Sequence, residues 1–184
     1  MAVSKNSCPV PLGTLPVIGG AENKGDEVAK GKLTPGNFEN CGVLKCLLKL
    51  TGKSDLVIKV ITSASADGND TFDDCKKAIH TSKGDKVCQI HHTSLYQVLE
   101  EMQATVTRVK KADVIFFAGG DKLHYTHLYG GTDLLIQLKN KYISDKIVIA
   151  GTSAGVMAMS TTMIYAGNEE VQESGGIIKG TTGL

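Results

Sequence analysis

The chain has 184 residues, 41% of them hydrophobic and 21% charged, which suits a single globular domain able to bury roughly 70% of the surface its unfolded form exposes. A net charge of +1, 5% aromatic residues and no Trp leave no electrostatic case for nucleic acid or an anionic membrane, and no platforms for stacking bases. No apolar run approaches the ~20 residues of a membrane helix, and the start MAVSKNSCPVPLG lacks the basic-then-apolar order of a secretory signal.

Five cysteines, Cys8, Cys41, Cys46, Cys75 and Cys88, are odd in number and form no C-x-x-C pair. They read as reduced thiols of a soluble cytoplasmic chain, and no histidine spacing turns them into a metal site.

In chain order, GTLPVIGG (residues 13–20) predicts a first strand ending in a glycine turn, with Pro16 confined to its start or to a sheet edge. Phe38, Val43, Leu44, Leu47 and Leu48 follow at helical spacing, with Gly52 as a stop. DLVIKVITSAS (55–65) is a β-branched strand, and TFDDCKKAIHTSKG sets Phe72, Cys75 and Ile79 on one helical face. KVCQIHH predicts a third strand. Leu95, Val98, Leu99, Met102, Val106 and Val109 then repeat at three and four over one long helix, opened by a capping box of Ser94 and Gln97. DVIFFAGGD (113–121) is apolar without alternation, as for a strand covered on both faces. GTDLLIQLKNKY is a helix with Thr132 as N-cap, and KIVIAG is the fifth strand.

Strands separated by helices predict one α/β domain over residues 1–184: a three-layer fold with a mostly parallel sheet and helices on both faces. Ligands of such sheets collect at the carboxyl ends of the strands. Three glycine-marked strand ends fall there: Gly19 with Gly20, Gly119-Gly120-Asp121, and Gly151-Thr152-Ser153-Ala154-Gly155. Strand before and helix after make Ser153 a candidate nucleophile on a sharp elbow, its flanking glycines permitting the turn and the approach of a carbonyl. The Ala154 N–H and a donor from the Gly119-Gly120 turn would then stabilise an oxyanion. A small residue in a tight connection is the competing explanation of the same motif.

TLPVIGGAENK, VIFFAGGDKLHYTHLYGGT and IAGTSAGVMAMSTTMIYAG resemble, in order and over most of the chain, the cyanophycinase family of serine peptidases, relatives of the aspartyl dipeptidases (peptidase E). The resemblance implies a flavodoxin-like or class I glutamine-amidotransferase-like α/β fold. It implies acyl transfer through a serine ester on cyanophycin or on related aspartyl and isoaspartyl peptides, releasing β-Asp-Arg-type dipeptides, with no metal or cofactor. Position by position it makes Ser153 the nucleophile and Gly120 and Ala154 the oxyanion donors. Lys122 stands where the family has a substrate-holding Gln, so a lysine would grip a substrate carboxylate as a point charge. Asp121 and Glu22 are candidates for the same cleft, with solvated loop carboxylates as the alternative.

The base is where the chain departs from the family, whose catalytic histidine follows the serine by some tens of residues, beside an acid and several arginines. Here 31 residues follow Ser153 and none is a histidine. The family's C-terminal part is therefore expected to be missing, and hydrolysis by this chain alone to be slow. His124 and His127, three apart on one helix face, are the only substitute candidates; His91 and His92 read as packing or surface residues. Glu169, Glu170 and Glu173 read as a solvated acidic loop or a source of a triad acid. A remnant that binds without cutting is the alternative function. Exposed apolar surface would favour a homo-oligomer or pairing with a complementary segment.

Overall fold

The computed structural model describes residues 9–19, 42–167 and 178–182. Five parallel strands form the central sheet: β1 (Val17–Ile18), β2 (Asp55–Ile61), β3 (Val87–Thr93), β4 (Val114–Phe117) and β5 (Val148–Thr152), in the order β1-β5-β4-β2-β3. This is the mostly parallel sheet expected from the alternation of strands and helices. β1 is shorter than its sequence window, because Pro16 has no N–H for the ladder; upstream only Thr14 adds a single bridge, to Val148.

Period-two alternation splits the strands between two cores. Leu56, Ile58 and Val60 of β2, with Val114 and Phe116 of β4, face α1 (Gly42–Leu50) and α2 (Gly68–Ser82), which bury Leu44, Leu47, Leu48, Cys75, Ala78 and Ile79. Ile61, Ile115, Phe117 and Ile149 face the other side. They meet α3 (Leu95–Glu100), α4 (Met102–Lys110), α5 (Lys122–Tyr129), α6 (Asp133–Ser144) and α7 (Ala154–Ala158). β4 and β5 are buried along their whole length, as strands covered on both faces must be. The helices thus make the outer two layers of the three-layer fold.

The helix starts follow capping chemistry. Ser94 accepts from the Gln97 N–H while the Gln97 side chain accepts from the Ser94 N–H, closing the capping box of α3. Thr132 caps α6 through Leu135 N. Gly52 ends α1 at φ +65°. One expectation is corrected: the long helix from Leu95 is two. Glu101, at φ −124° and ψ 36°, breaks it, and Leu95 and Leu99 remain exposed while Val98, Val106 and Val109 are buried. Past β5, β6 (Thr162–Gly167) and β7 (Ile178–Thr182) form a separate antiparallel pair that periodicity did not announce.

β2 carries one residue against its pattern. Lys59 points into the second core and is 1% exposed, its Nζ donating, among the described residues, a single 3.3 Å hydrogen bond to the His92 carbonyl. Burial, and secondarily the nearby Arg108 guanidinium, lower its ammonium to about 8. No helix among the described residues is long and apolar enough to cross a membrane.

Candidate active site

β4 and β5 are adjacent and parallel, so their carboxyl ends open on the same edge of the sheet, and the two glycine-rich turns meet there. Ser153 lies between the last residue of β5 and the first of α7. Its backbone sits at φ +50° and ψ −114°, and it is the sole non-glycine with positive φ among the described residues. A backbone held in so sparsely populated a region costs on the order of 1–3 kcal/mol and persists only where its surroundings enforce it.

The surroundings are small residues in contact. A Cβ on Gly151 would stand 2.8 Å from the carbonyl carbon of Gly155, and one on Gly155 would stand 2.8 Å from the Phe117 Cβ and overlap the Phe117 carbonyl. Glycine at both positions lets α7 turn back tightly against β5 and sit on the end of β4. On the other flank the Ser153 N–H donates to the Ile18 carbonyl at 3.4 Å, so β1 braces the elbow. The serine is exposed on the open edge, while Ala154 and Gly155 are buried.

The second turn lies alongside. A Cβ on Gly119 would be 3.7 Å from the Ser153 Cβ, which puts that turn in van der Waals reach of the serine. Gly120, at φ +143°, is pressed so closely on the loop after β2 that a Cβ would overlap the Ala64 carbonyl. That same carbonyl accepts the Asp121 N–H at 2.9 Å. The Gly120 and Ala154 N–H groups donate to no other described residue.

Asp121 is exposed and caps α5, its Oδ1 accepting the Leu123 N–H at 2.9 Å; one carboxylate oxygen is thereby committed to the helix. Lys122, half-buried, is the first residue of α5 and forms no ion pair with any described residue. Glu22, Glu169, Glu170 and Glu173 lie outside the described residues, as do Gly20, Cys8 and Cys41.

None of the five histidines is hydrogen-bonded to Ser153. His124 and His127 are exposed on α5, opposite the face on which Tyr125 and Tyr129 are buried. His92 shares the carboxyl edge, but β3 is three strand spacings from β5, about 14 Å away. Its Nε2 is engaged at 2.6 Å with Thr62 Oγ1 and its ring stacks on Phe72 at 4.3 Å. Burial first, and Lys59 second, lower the His92 and His91 pKa values below the ordinary imidazole range. His80 is exposed on α2, across the sheet.

Two features of this edge had no signal in sequence: the Ala64 carbonyl that shapes the Gly120 turn, and the buried Tyr125. Both act through backbone carbonyls, which no residue letter marks.

The chain is similar to several known proteins in sequence and in fold. A cyanophycinase of Synechococcus elongatus is 29% identical over 175 residues, covering 94% of this chain and 49% of that protein. A cyanophycinase of Geminocystis herdmanii (strain PCC 6308) is 27% identical over 168 residues, covering 91% and 56%. The chain therefore spans about half the length of the curated relatives it matches. Among solved structures, a peptidase from an acI-B1 Actinobacterium superposes with a TM-score of 0.56 at 21% identity, over 84% of this chain and 59% of that one. A peptidase E-like protein of Listeria monocytogenes EGD-e gives 0.56 at 16% identity, over 86% and 65%. At such identities the structural likeness speaks to the fold, and the fold agrees. The model of peptidase family S51 matches residues 36–182, and the chain belongs to that family.

Proposed function

We propose that this chain carries the nucleophile half of a serine peptidase acting on aspartyl or isoaspartyl peptides, cyanophycin among them. The observation that carries the proposal is the strained, exposed Ser153 with the N–H groups of Gly120 and Ala154, which no described residue engages, on the same edge. Ser153 Oγ attacks the scissile carbonyl, and its proton passes through a base to the leaving amine as the C–N bond breaks. The negative oxygen formed meanwhile is held by the two N–H groups, each such donor being worth ~10²–10³ in turnover. Water then cleaves the ester. Lys122, in no ion pair with any described residue at the start of α5, supplies a cation for a substrate carboxylate, and Asp121 borders the same turn.

None of the five histidines is hydrogen-bonded to Ser153 in this arrangement, so we expect hydrolysis by these 184 residues alone to be slow. Cyanophycinases similar to this chain extend over about twice its length, and a histidine from the corresponding region is the natural complement. Loss of a triad member commonly leaves ~10³–10⁴-fold catalysis over water. The test is incubation of the chain with cyanophycin, with a β-Asp-Arg dipeptide and with a fluorophosphonate, beside Ser153→Ala. Labelling at Ser153 with residual turnover supports the proposal. Substrate binding with neither labelling nor turnover would instead identify a binding protein that keeps the fold.

A further inference from the structure

The Gly119-Gly120 turn contains two residues with little conformational preference of their own, yet an oxyanion donor is useful only if its N–H direction is fixed beforehand. Something outside the motif must fix it. At its far end the turn is tied by the Asp121 N–H to the Ala64 carbonyl. At its near end stands Ala118, 1% exposed, whose N–H donates to the Ile61 carbonyl at 2.9 Å. The orientation of the Ala118 carbonyl sets the peptide plane from which Gly119 and Gly120 depart.

That carbonyl accepts the Tyr125 hydroxyl at 2.7 Å, and the same hydroxyl lies 3.2 Å from the Ile61 carbonyl. Tyr125 comes from α5, the helix that follows the turn, and is fully buried. Its ring meets Phe117 edge-to-face at 5.4 Å and stacks on Tyr129 at 6.0 Å. The hydroxyl therefore has no freedom to leave, and one contact joins the ends of β2 and β4 just before the turn.

We infer that Tyr125 is a positioning residue for the Gly119-Gly120 turn, holding the Ala118 carbonyl so that the Gly120 N–H faces the space beside Ser153. Its catalytic consequence rests on the serine-peptidase reading; its effect on the turn does not. Burial, then the neighbouring Tyr129, push its pKa well above the ordinary phenol range, so the hydroxyl stays a donor. Tyr129 is the natural control: it is equally buried, and its hydroxyl bonds to Ser63 Oγ at 2.7 Å instead of to the turn.

The experiment compares Tyr125→Phe with Tyr129→Phe, each keeping the ring and losing one buried hydrogen bond. Amide hydrogen exchange resolved by NMR is read at Ala118 and Asp121, whose N–H groups anchor the two ends of the turn. Tyr125→Phe is expected to speed exchange there about tenfold, the scale of one lost hydrogen bond, with Tyr129→Phe within about twofold of wild type. Fluorophosphonate labelling of Ser153 is expected to slow about tenfold in Tyr125→Phe only. Unchanged exchange in Tyr125→Phe, or an equal rise in both variants across the whole sheet, overturns the inference. If wild-type Ser153 does not label, the serine reading fails, and the exchange comparison still decides whether Tyr125 holds the turn.

Discussion

Gly155 sits on Phe117 with no room for a Cβ between them: the added atom would overlap the Phe117 carbonyl oxygen. The first turn of α7 is thereby seated on the end of the neighbouring strand, and Ser153 is forced into its strained conformation. Gly155→Ala should lift α7 off β4, destabilising the fold by about 1–3 kcal/mol, the usual range for overpacking. Ser153 labelling should fall by at least about tenfold. Urea titration and labelling kinetics measure the two effects, and native values for both would show that α7 is not seated as described.

Ser153→Gly should act in the opposite direction on stability. Glycine adopts φ +50° without the Cβ penalty, so part of the ~1–3 kcal/mol of strain is recovered. Against this stands up to about 1 kcal/mol of extra entropy in the unfolded chain. A net gain of about 1 kcal/mol corresponds to a rise of roughly 2–4 °C in Tm for a chain of this size. Labelling should vanish. A more stable but inert variant marks a residue kept for chemistry at the expense of the fold.

Lys59 gives a pH signature with a definite sign. Its pKa is about 8 in the folded chain against 10.5 for the ordinary side chain, so between those values the unfolded state binds more protons and stability rises with pH. Below pH 8 the buried ammonium imposes its full penalty, on the order of 3 kcal/mol. Tyr125 and Tyr129, both raised by burial, stay protonated when folded, and their ionisation in the unfolded chain erodes stability above about pH 10. The rise should therefore be seen between pH 8 and 10. Lys59→Met should flatten it and raise stability at pH 7, as followed by denaturant titrations at each pH.

Lys122→Gln tests the cation proposed for the substrate carboxylate. Affinity for an isoaspartyl dipeptide with a free carboxylate should weaken about five- to tenfold, the scale of a partly exposed charge-assisted hydrogen bond. Affinity for the corresponding amide should hold. Calorimetry on the Ser153→Ala background reads this without turnover, and equal loss for both ligands would remove Lys122 from carboxylate recognition.

Much of this architecture is legible in the letters. Fully buried β4 reads as an apolar run without alternation, β5 follows from KIVIAG, and Ser94 with Gln97 announces α3 because a capping box is local chemistry. The break at Glu101 is invisible, since Met102, Val106 and Val109 continue the three-and-four spacing of the preceding helix across it. Lys59 is hidden for a similar reason: in VIKVI it looks like the one solvent-facing position of a strand. Tyr125 escapes because its partners are the carbonyls of Ile61 and Ala118, brought together only by the pairing of β2 with β4. The G-T-S-A-G motif points to Ser153; the nearness of Gly119 and the pressure of Ala64 on Gly120 come from tertiary structure alone.

The brace behind the elbow is the two-residue strand β1, whose Ile18 carbonyl receives the Ser153 N–H. Edge segments open locally at far lower free energy than a buried ladder such as β4–β5. The elbow at Ser153 is thus expected to have a stability of its own, smaller than that of the domain, and to fray before the sheet melts. Whatever prolongs the pairing of β1 with β5 would raise the fraction of molecules in which the Ser153 elbow is held in place, without touching the serine side chain.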